Sequence, residues 1–219
     1  MSATDALRCL HADEDLLVLD KPSGLLCVPG RGEDKQDCLS ARAQRQWPSA
    51  LVVHRLDQGT SGLVLMARSP EMQRKLSDAF AQRLVHKRYQ AIVAGTMQAP
   101  SEGTWAQIDL PIAADWERRP LRIIDAERGK PSLTEWRILE TQTTAAPLTT
   151  RLELQPVTGR THQLRVHLAA VGHPILGDAL YADPAVQGLA PRLLLHATRL
   201  AFDHPRSGNP VQFASLPDF

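Results

Sequence analysis

The chain has little cysteine: three residues in 219, Cys9, Cys27 and Cys38. The number is odd and no two stand in a C-x-x-C pair, which argues against a disulfide framework or a zinc ribbon and leaves three reduced thiols. Long apolar runs are absent too. Neither the opening MSATDALRCLHADED nor any later stretch approaches a membrane span or the core of a secretory signal. A cytoplasmic protein with no membrane partner is expected. There is almost no net charge, with 25 Lys plus Arg against 24 Asp plus Glu, so nothing draws the whole molecule to nucleic acid or anionic lipid. No low-complexity segment, internal repeat or long linker divides the chain.

What remains is an ordinary globular composition, 43% apolar and 22% charged, enough for one large domain. The charge is unevenly spread. Residues 1–20 carry Arg8 against Asp5, Asp13, Glu14, Asp15 and Asp20, so the remaining 199 are basic by five. Twenty of the basic residues are Arg, the type suited to bidentate phosphate contacts and stacking, although a GC-rich genome produces the same bias.

Asp15–Asp20 is a short apolar run ending in Lys-Pro-Ser-Gly, a strand and a turn. Leu63–Ala67 is a second strand. Ser69-Pro70-Glu71 has the order of an N-cap, an N1 proline and a first-turn acid. Met72, Leu76, Phe80 and Leu84 then recur every four residues, predicting one helix face. Tyr89–Ala94 reads as a strand closed by Gly95. Residues 98–103 and 113–130 read as irregular. Ser132–Leu139 and Thr149–Leu154 alternate like half-buried antiparallel strands. Thr161–Val171 reads as a helix with Leu164, Leu168 and Val171 inward, stopped by Gly172 and Pro174. Strands outnumber helices without alternating with them, which predicts an α+β fold with a largely antiparallel sheet.

Four segments are candidates for chemistry. His54-Arg55-Leu56-Asp57-Gln58-Gly59-Thr60-Ser61-Gly62 packs an imidazole, a guanidinium and a carboxylate into four residues between apolar strands, where catalytic groups tend to sit. Its blander reading is a turn in which Asp57 or Thr60 accepts backbone N–H bonds and Gly62 supplies a positive φ. A kinase catalytic loop is excluded: the order is H-R-L-D rather than H-R-D-L, and neither a Gly-rich phosphate loop nor D-F-G accompanies it. Thr158-Gly-Arg-Thr-His-Gln-Leu-Arg-Val-His167 places Arg160 and Arg165 at a helix start, where they oppose the dipole and so suit an anionic partner. His162 and His167, five apart, do not share a helix face as a zinc pair would. Lys87-Arg88-Tyr89 and Trp116-Glu-Arg-Arg-Pro-Leu-Arg122 are basic stretches with one aromatic each, a composition that suits RNA or simply a solvated face.

Taken in order, Asp20-Lys-Pro-Ser-Gly24, His54-Arg-Leu-Asp-x-x-Thr-Ser-Gly62, Lys87-x-Tyr89, Gly159-Arg-Thr-His-Gln-Leu-Arg165 and Leu194-Leu-His196-Ala197 resemble the RluA family of RNA pseudouridine synthases, from about Leu16 to the C-terminus. Within it the chain is most similar to members of dual specificity. The resemblance implies a mixed, mainly antiparallel bent sheet with flanking helices, residues 1–219 as a single catalytic domain without an S4 domain, and an active cleft between two lobes. It implies isomerisation of uridines in a tRNA anticodon stem-loop and a 23S rRNA hairpin by a monomer with no cofactor and no metal. One RNA alone, or RNA binding without turnover, are the alternatives. Carried over by motif, the nucleophilic aspartate falls on Asp57, the conserved tyrosine on Tyr89 and the arginine paired with the aspartate on Arg165. Arg55 would fill the space of the flipped base. His54, Thr60, Arg160, Leu195, Arg88, Arg118 and Arg119 are further candidates for RNA contacts, as is Arg122. Attack at C1′ and proton abstraction at C2′ both remain open for Asp57.

Overall fold

A computed structural model describes residues 7–99, 101, 103–144 and 146–219. Asp5 of the acidic N-terminal stretch, and two positions of the 98–103 segment, lie outside the described residues. The chain divides into two compact units. The first comprises residues up to Lys87 together with His196–Asp218; the second comprises Arg88–Leu195 with Phe219.

The first unit holds β1 (Arg8–Ala12), β2 (Leu16–Lys21), α1 (Leu39–Gln46), β3 (Leu51–Val52), β4 (Ser61–Ala67) and α2 (Pro70–Ala81). All but the first residue of β11 (Leu195–Asp203), and β12 (Pro210–Ala214), complete it from the far end of the chain. Its strands run β1-β2-β4-β11, with β3 on β4 and β12 on β11. The β4–β11 pair is parallel and the others are antiparallel, so the sheet is mixed. β2 and β4 are apolar runs buried along their length, because both of their faces are covered. α2 forms where its signals predict: Ser69 accepts the Met72 N–H, Pro70 sits in the first turn, and Met72 and Leu76 are buried against Leu63 and Leu65. The apolar stripe does not reach Leu84, however. The helix stops at Ala81, Arg83 turns left-handed at φ 63°, and Leu84 is 58% exposed.

The second unit holds most of β5 (His86–Ala94), β6 (Ala106–Asp109), β7 (Ile112–Ala114), β8 (Arg122–Ile124), β9 (Leu133–Gln142), β10 (Thr149–Pro156), α3 (Gln163–Ala170) and α4 (Pro184–Gln187). Its main strands are antiparallel in the order β5-β10-β9-β6. α3 buries Leu164 and Leu168 against Leu152, Leu154 and Trp136. It is shorter than the sequence suggests: Gly172, at φ 86°, follows its end and Val171 is left 39% exposed. The stretch 113–130, irregular by sequence, holds all but the first residue of the two-stranded ladder β7–β8, whose strands of three residues are too short to show a period. Among the described residues no helix is long and apolar enough to cross a membrane. The α+β class with a mixed, mainly antiparallel sheet is the fold observed.

Candidate active site

Asp57 is half-buried on the loop between β3 and β4, and the structure locates that loop through its main chain. Lys21, fully buried at the end of β2, donates from Nζ to the carbonyls of Pro22 (2.9 Å), Leu25 (2.7 Å) and Gln58 (3.0 Å). The Gln58 carbonyl also accepts the Gly24 N–H at 2.9 Å, and the Gly59 carbonyl accepts Ser23 Oγ at 2.7 Å. On the other flank the Leu56 N–H donates to Cys27 Sγ at 3.2 Å. The Asp20-Lys-Pro-Ser-Gly24 motif is thus the clamp on the Asp57 loop. Burial pulls the Lys21 ammonium down to about 8, against the opposing pull of Cys27 and Asp57.

The turn expected of this segment is present as well: the Thr60 N–H meets the Asp57 carbonyl at 3.1 Å. Gly62 takes φ 107°, and a Cβ there would lie 2.4 Å from the Ala197 carbonyl oxygen. The close approach lets β4 and β11 run in register, Ser61 opposite His196 and Gly62 opposite Ala197. Ser61 Oγ and His196 Nδ1 are 2.9 Å apart, His196 Nε2 and Ser215 Oγ 3.2 Å, and Ser215 Oγ donates to Asp20 at 2.6 Å. This line of hydrogen bonds joins T-S-G, L-L-H-A and D-K-P-S-G, three motifs far apart in sequence.

Among the other candidates in this unit, Thr60 is buried and Arg55 is exposed. His54 belongs to the scaffold: its Nε2 accepts the Leu65 N–H at 2.9 Å and its ring stacks on Phe80 at 4.4 Å. Burial, reinforced by Lys87, holds this imidazole down at about 3, so it is neutral with its proton on Nδ1.

In the second unit, Arg165 lies on the first turn of α3 and is buried. It makes a bidentate pair with Asp178, Nε to Oδ2 at 2.8 Å and a terminal nitrogen to Oδ1 at 2.6 Å, with the Tyr181 ring 5.1 Å from the guanidinium. Asp178 is itself fully buried and accepts the N–H groups of Leu180 and Tyr181. The Tyr181 hydroxyl lies 2.6 Å from His162 Nδ1 and accepts the Arg122 N–H at 3.0 Å. His167 spends both ring nitrogens on Thr134 Oγ1 and the Leu110 carbonyl, each at 2.9 Å.

Tyr89 stands on β5 opposite Leu154, and Leu195 is buried in the core of this unit. Arg88 lies over Trp105 at 4.3 Å, Arg118 is paired with Asp115, and Arg119 lies over Trp116 at 4.2 Å. Arg160 is exposed, its guanidinium near the Pro131 carbonyl. The roles of Lys21, Cys27, Asp178 and Tyr181 are not announced by their neighbours in sequence; only the D-K-P-S-G motif hints at the first.

A family model described as RNA pseudouridylate synthase matches residues 15–170. Over 213 residues the chain is 46% identical to the dual-specificity RNA pseudouridine synthase RluA of Escherichia coli (strain K12), covering 97% of this chain and 94% of that protein. It is 47% identical, with the same coverage, to the protein of that name from Salmonella typhi. The solved structure of human RNA pseudouridylate synthase domain containing 1 matches with a TM-score of 0.82 at 29% identity, covering 100% of this chain and 86% of that one.

Proposed function

The chain belongs to the RNA pseudouridylate synthase family, and from that premise we propose that it isomerises uridine in two RNAs, a tRNA anticodon stem-loop and a 23S rRNA hairpin. The observation that carries the reading is the meeting of three separated motifs: Lys21 and Ser23 bond the main chain beside Asp57, and side-chain bonds link Ser61 to His196 and Ser215 to Asp20. A loop held this firmly presents a carboxylate at a defined place, which is what attack on a sugar carbon requires.

The reaction breaks the N1–C1′ bond, turns the uracil and joins C5 to C1′, with loss of the C5 proton and gain of one at N1. Neither oxidation nor hydrolysis occurs. Asp57 either attacks C1′ or takes the C2′ proton. Arg165 favours the ionised carboxylate in the substrate complex. Tyr89 stacks on the uracil and assists removal of the C5 proton. The uridine leaves its stack first, at a cost of a few kcal/mol, and Arg55 recovers part of that cost by filling the gap. His54 supports this segment from behind, Thr60 closes its turn, and Arg88, Arg119 and Arg160 supply cationic contacts to the RNA. The protein acts in the cytoplasm as a monomer, with 1–219 working as one catalytic domain.

Tritium release from RNA labelled at uridine C5 tests the reading. Both RNAs are offered without added metal to the wild type and to Asp57→Ala. Release from both by the wild type alone is the expected result. Release from one RNA reduces the protein to a single specificity, and equal release by Asp57→Ala removes that residue from the chemistry.

A further inference from the structure

The β7–β8 hairpin repeats one local device. Asp115-Trp-Glu-Arg118 and Asp125-Ala-Glu-Arg128 share the pattern D-x-E-R, and each closes on itself. Asp115 accepts the Arg118 N–H at 3.1 Å and its Nε at 2.8 Å. Asp125 accepts the Arg128 N–H at 2.9 Å and its Nε at 2.8 Å. Each carboxylate thus neutralises the arginine three residues on and fixes the backbone between them. The second residue of the pattern makes the difference: alanine in one, tryptophan in the other.

Trp116 is 69% exposed, the one exposed tryptophan among the described residues. A lone exposed indole serves no core. Its ring is nevertheless ordered on one side, with the Arg119 guanidinium 4.2 Å from its centre. Exposure that high leaves the opposite ring face to solvent. The turn beneath is rigid, because the Asp115 N–H bonds to the Leu121 carbonyl and the Leu121 N–H to that of Arg118. Trp105 gives the contrast: half-buried, it has Arg88 and Arg137 at 4.3 and 4.9 Å.

We propose that Trp116, backed by Arg119, is a stacking platform for an unpaired nucleobase of the RNA substrate, which makes the hairpin tip a substrate-selecting element. The inference rests on the function proposed above and adds a residue to it. An aromatic face accepts any base, and an adjacent guanidinium suits the phosphate of the same nucleotide. The neighbours Glu117, Arg118, Arg119 and Pro120 are exposed and mostly charged, so the ring is isolated rather than part of the broad apolar patch a protein partner needs. An unpaired base in a hairpin loop fits such an isolated face.

The test measures binding and turnover separately, on the anticodon stem-loop and the ribosomal hairpin. Trp116→Ala should weaken binding ~5- to 150-fold on at least one of them, Trp116→Phe should recover most of the loss, and the salt dependence of binding should keep its slope. Because the side chain is exposed, the melting temperature should not move. RNAs with a single abasic nucleotide then locate the base: at one loop position the abasic site and Trp116→Ala should not add, since both remove the same stack. Losses that add at every position, or a Trp116→Ala affinity within twofold of wild type on both RNAs, overturn the platform. Turnover separates this from the function itself. Wild-type binding without tritium release sinks the assigned reaction while the binding data still judge Trp116, and a wild type that binds neither RNA overturns both.

Discussion

Asp57 and Arg165 are held in opposite ways. The residues beside Asp57 are fixed by bonds to their main chain, from Lys21 and Gly24 to the Gln58 carbonyl, from Ser23 to Gly59 and from the Leu56 N–H to Cys27. Arg165 is fixed by its head group, through the two bonds to Asp178 with Tyr181 beside them. The difference fits the roles proposed above for the two side chains. A group whose oxygens take part in chemistry is best positioned from behind, through its backbone. A group that supplies a fixed charge tolerates a permanent counter-ion, which also offsets the cost of burying it.

The first of these arrangements is the more brittle, and Gly62→Ala should have the largest effect. A Cβ at 2.4 Å from the Ala197 oxygen forces β4 and β11 apart, and at φ 107° no side chain is comfortable. A loss of about 5 kcal/mol in stability is expected, seen as poor soluble yield or a melting temperature more than ~10 °C lower. An unchanged melt would mean that the Asp57 loop does not depend on that close approach.

Asp178→Ala attacks the second arrangement. It removes the bidentate counter-ion of a buried guanidinium and should cost about 3–5 kcal/mol by denaturant unfolding. A cost below ~1 kcal/mol would show that the Arg165 head group is not what fixes it.

Lys21 gives the comparison a pH signature. Its folded value, about 8, lies below the 10.5 of the exposed amine. Between these two values the unfolded chain holds a proton that the folded one has lost, so stability rises with pH. Below pH 8 the full penalty of the buried charge, about 3 kcal/mol, is present. Wild type measured against Lys21→Met should gain that much between pH 8 and 10.5. A flat difference would mean that the ammonium keeps its ordinary affinity for protons.

The smallest effect is expected at Cys27. Cys27→Ala leaves the Leu56 N–H without its acceptor, at about 1–2 kcal/mol, and should lower kcat several-fold through displacement of Asp57. Cys27→Ser restores an acceptor and should return kcat to within twofold. Equal rates for Ala and Ser would remove the thiol from the clamp.

The parts of this architecture legible in sequence are those with local causes. Ser69 and Pro70 start α2 where they stand, and the positive φ of Gly62 is one a glycine adopts freely. The H-R-L-D and G-R-T-H-Q-L-R motifs mark the two loci by composition and order. What was not legible depends on distant partners. An apolar stripe cannot say that the chain turns left-handed at Arg83 and strands Leu84 in solvent. Nor does a lysine after an apolar strand announce that three carbonyls will bury it, one of them 37 residues away. Nor does anything beside Asp178 in sequence announce that Arg165, 13 residues earlier, will close on it.

The first unit is interrupted in sequence: residues 88–195 of the second unit lie between Lys87 and His196. On a ribosome, the strand that faces Gly62 and the serine that completes the line to Asp20 are therefore synthesised after residues 88–195. The neighbourhood of Asp57 must wait, held open until β11 and β12 arrive. Order of manufacture thus delays the setting of Asp57 until β11 and β12 have been made.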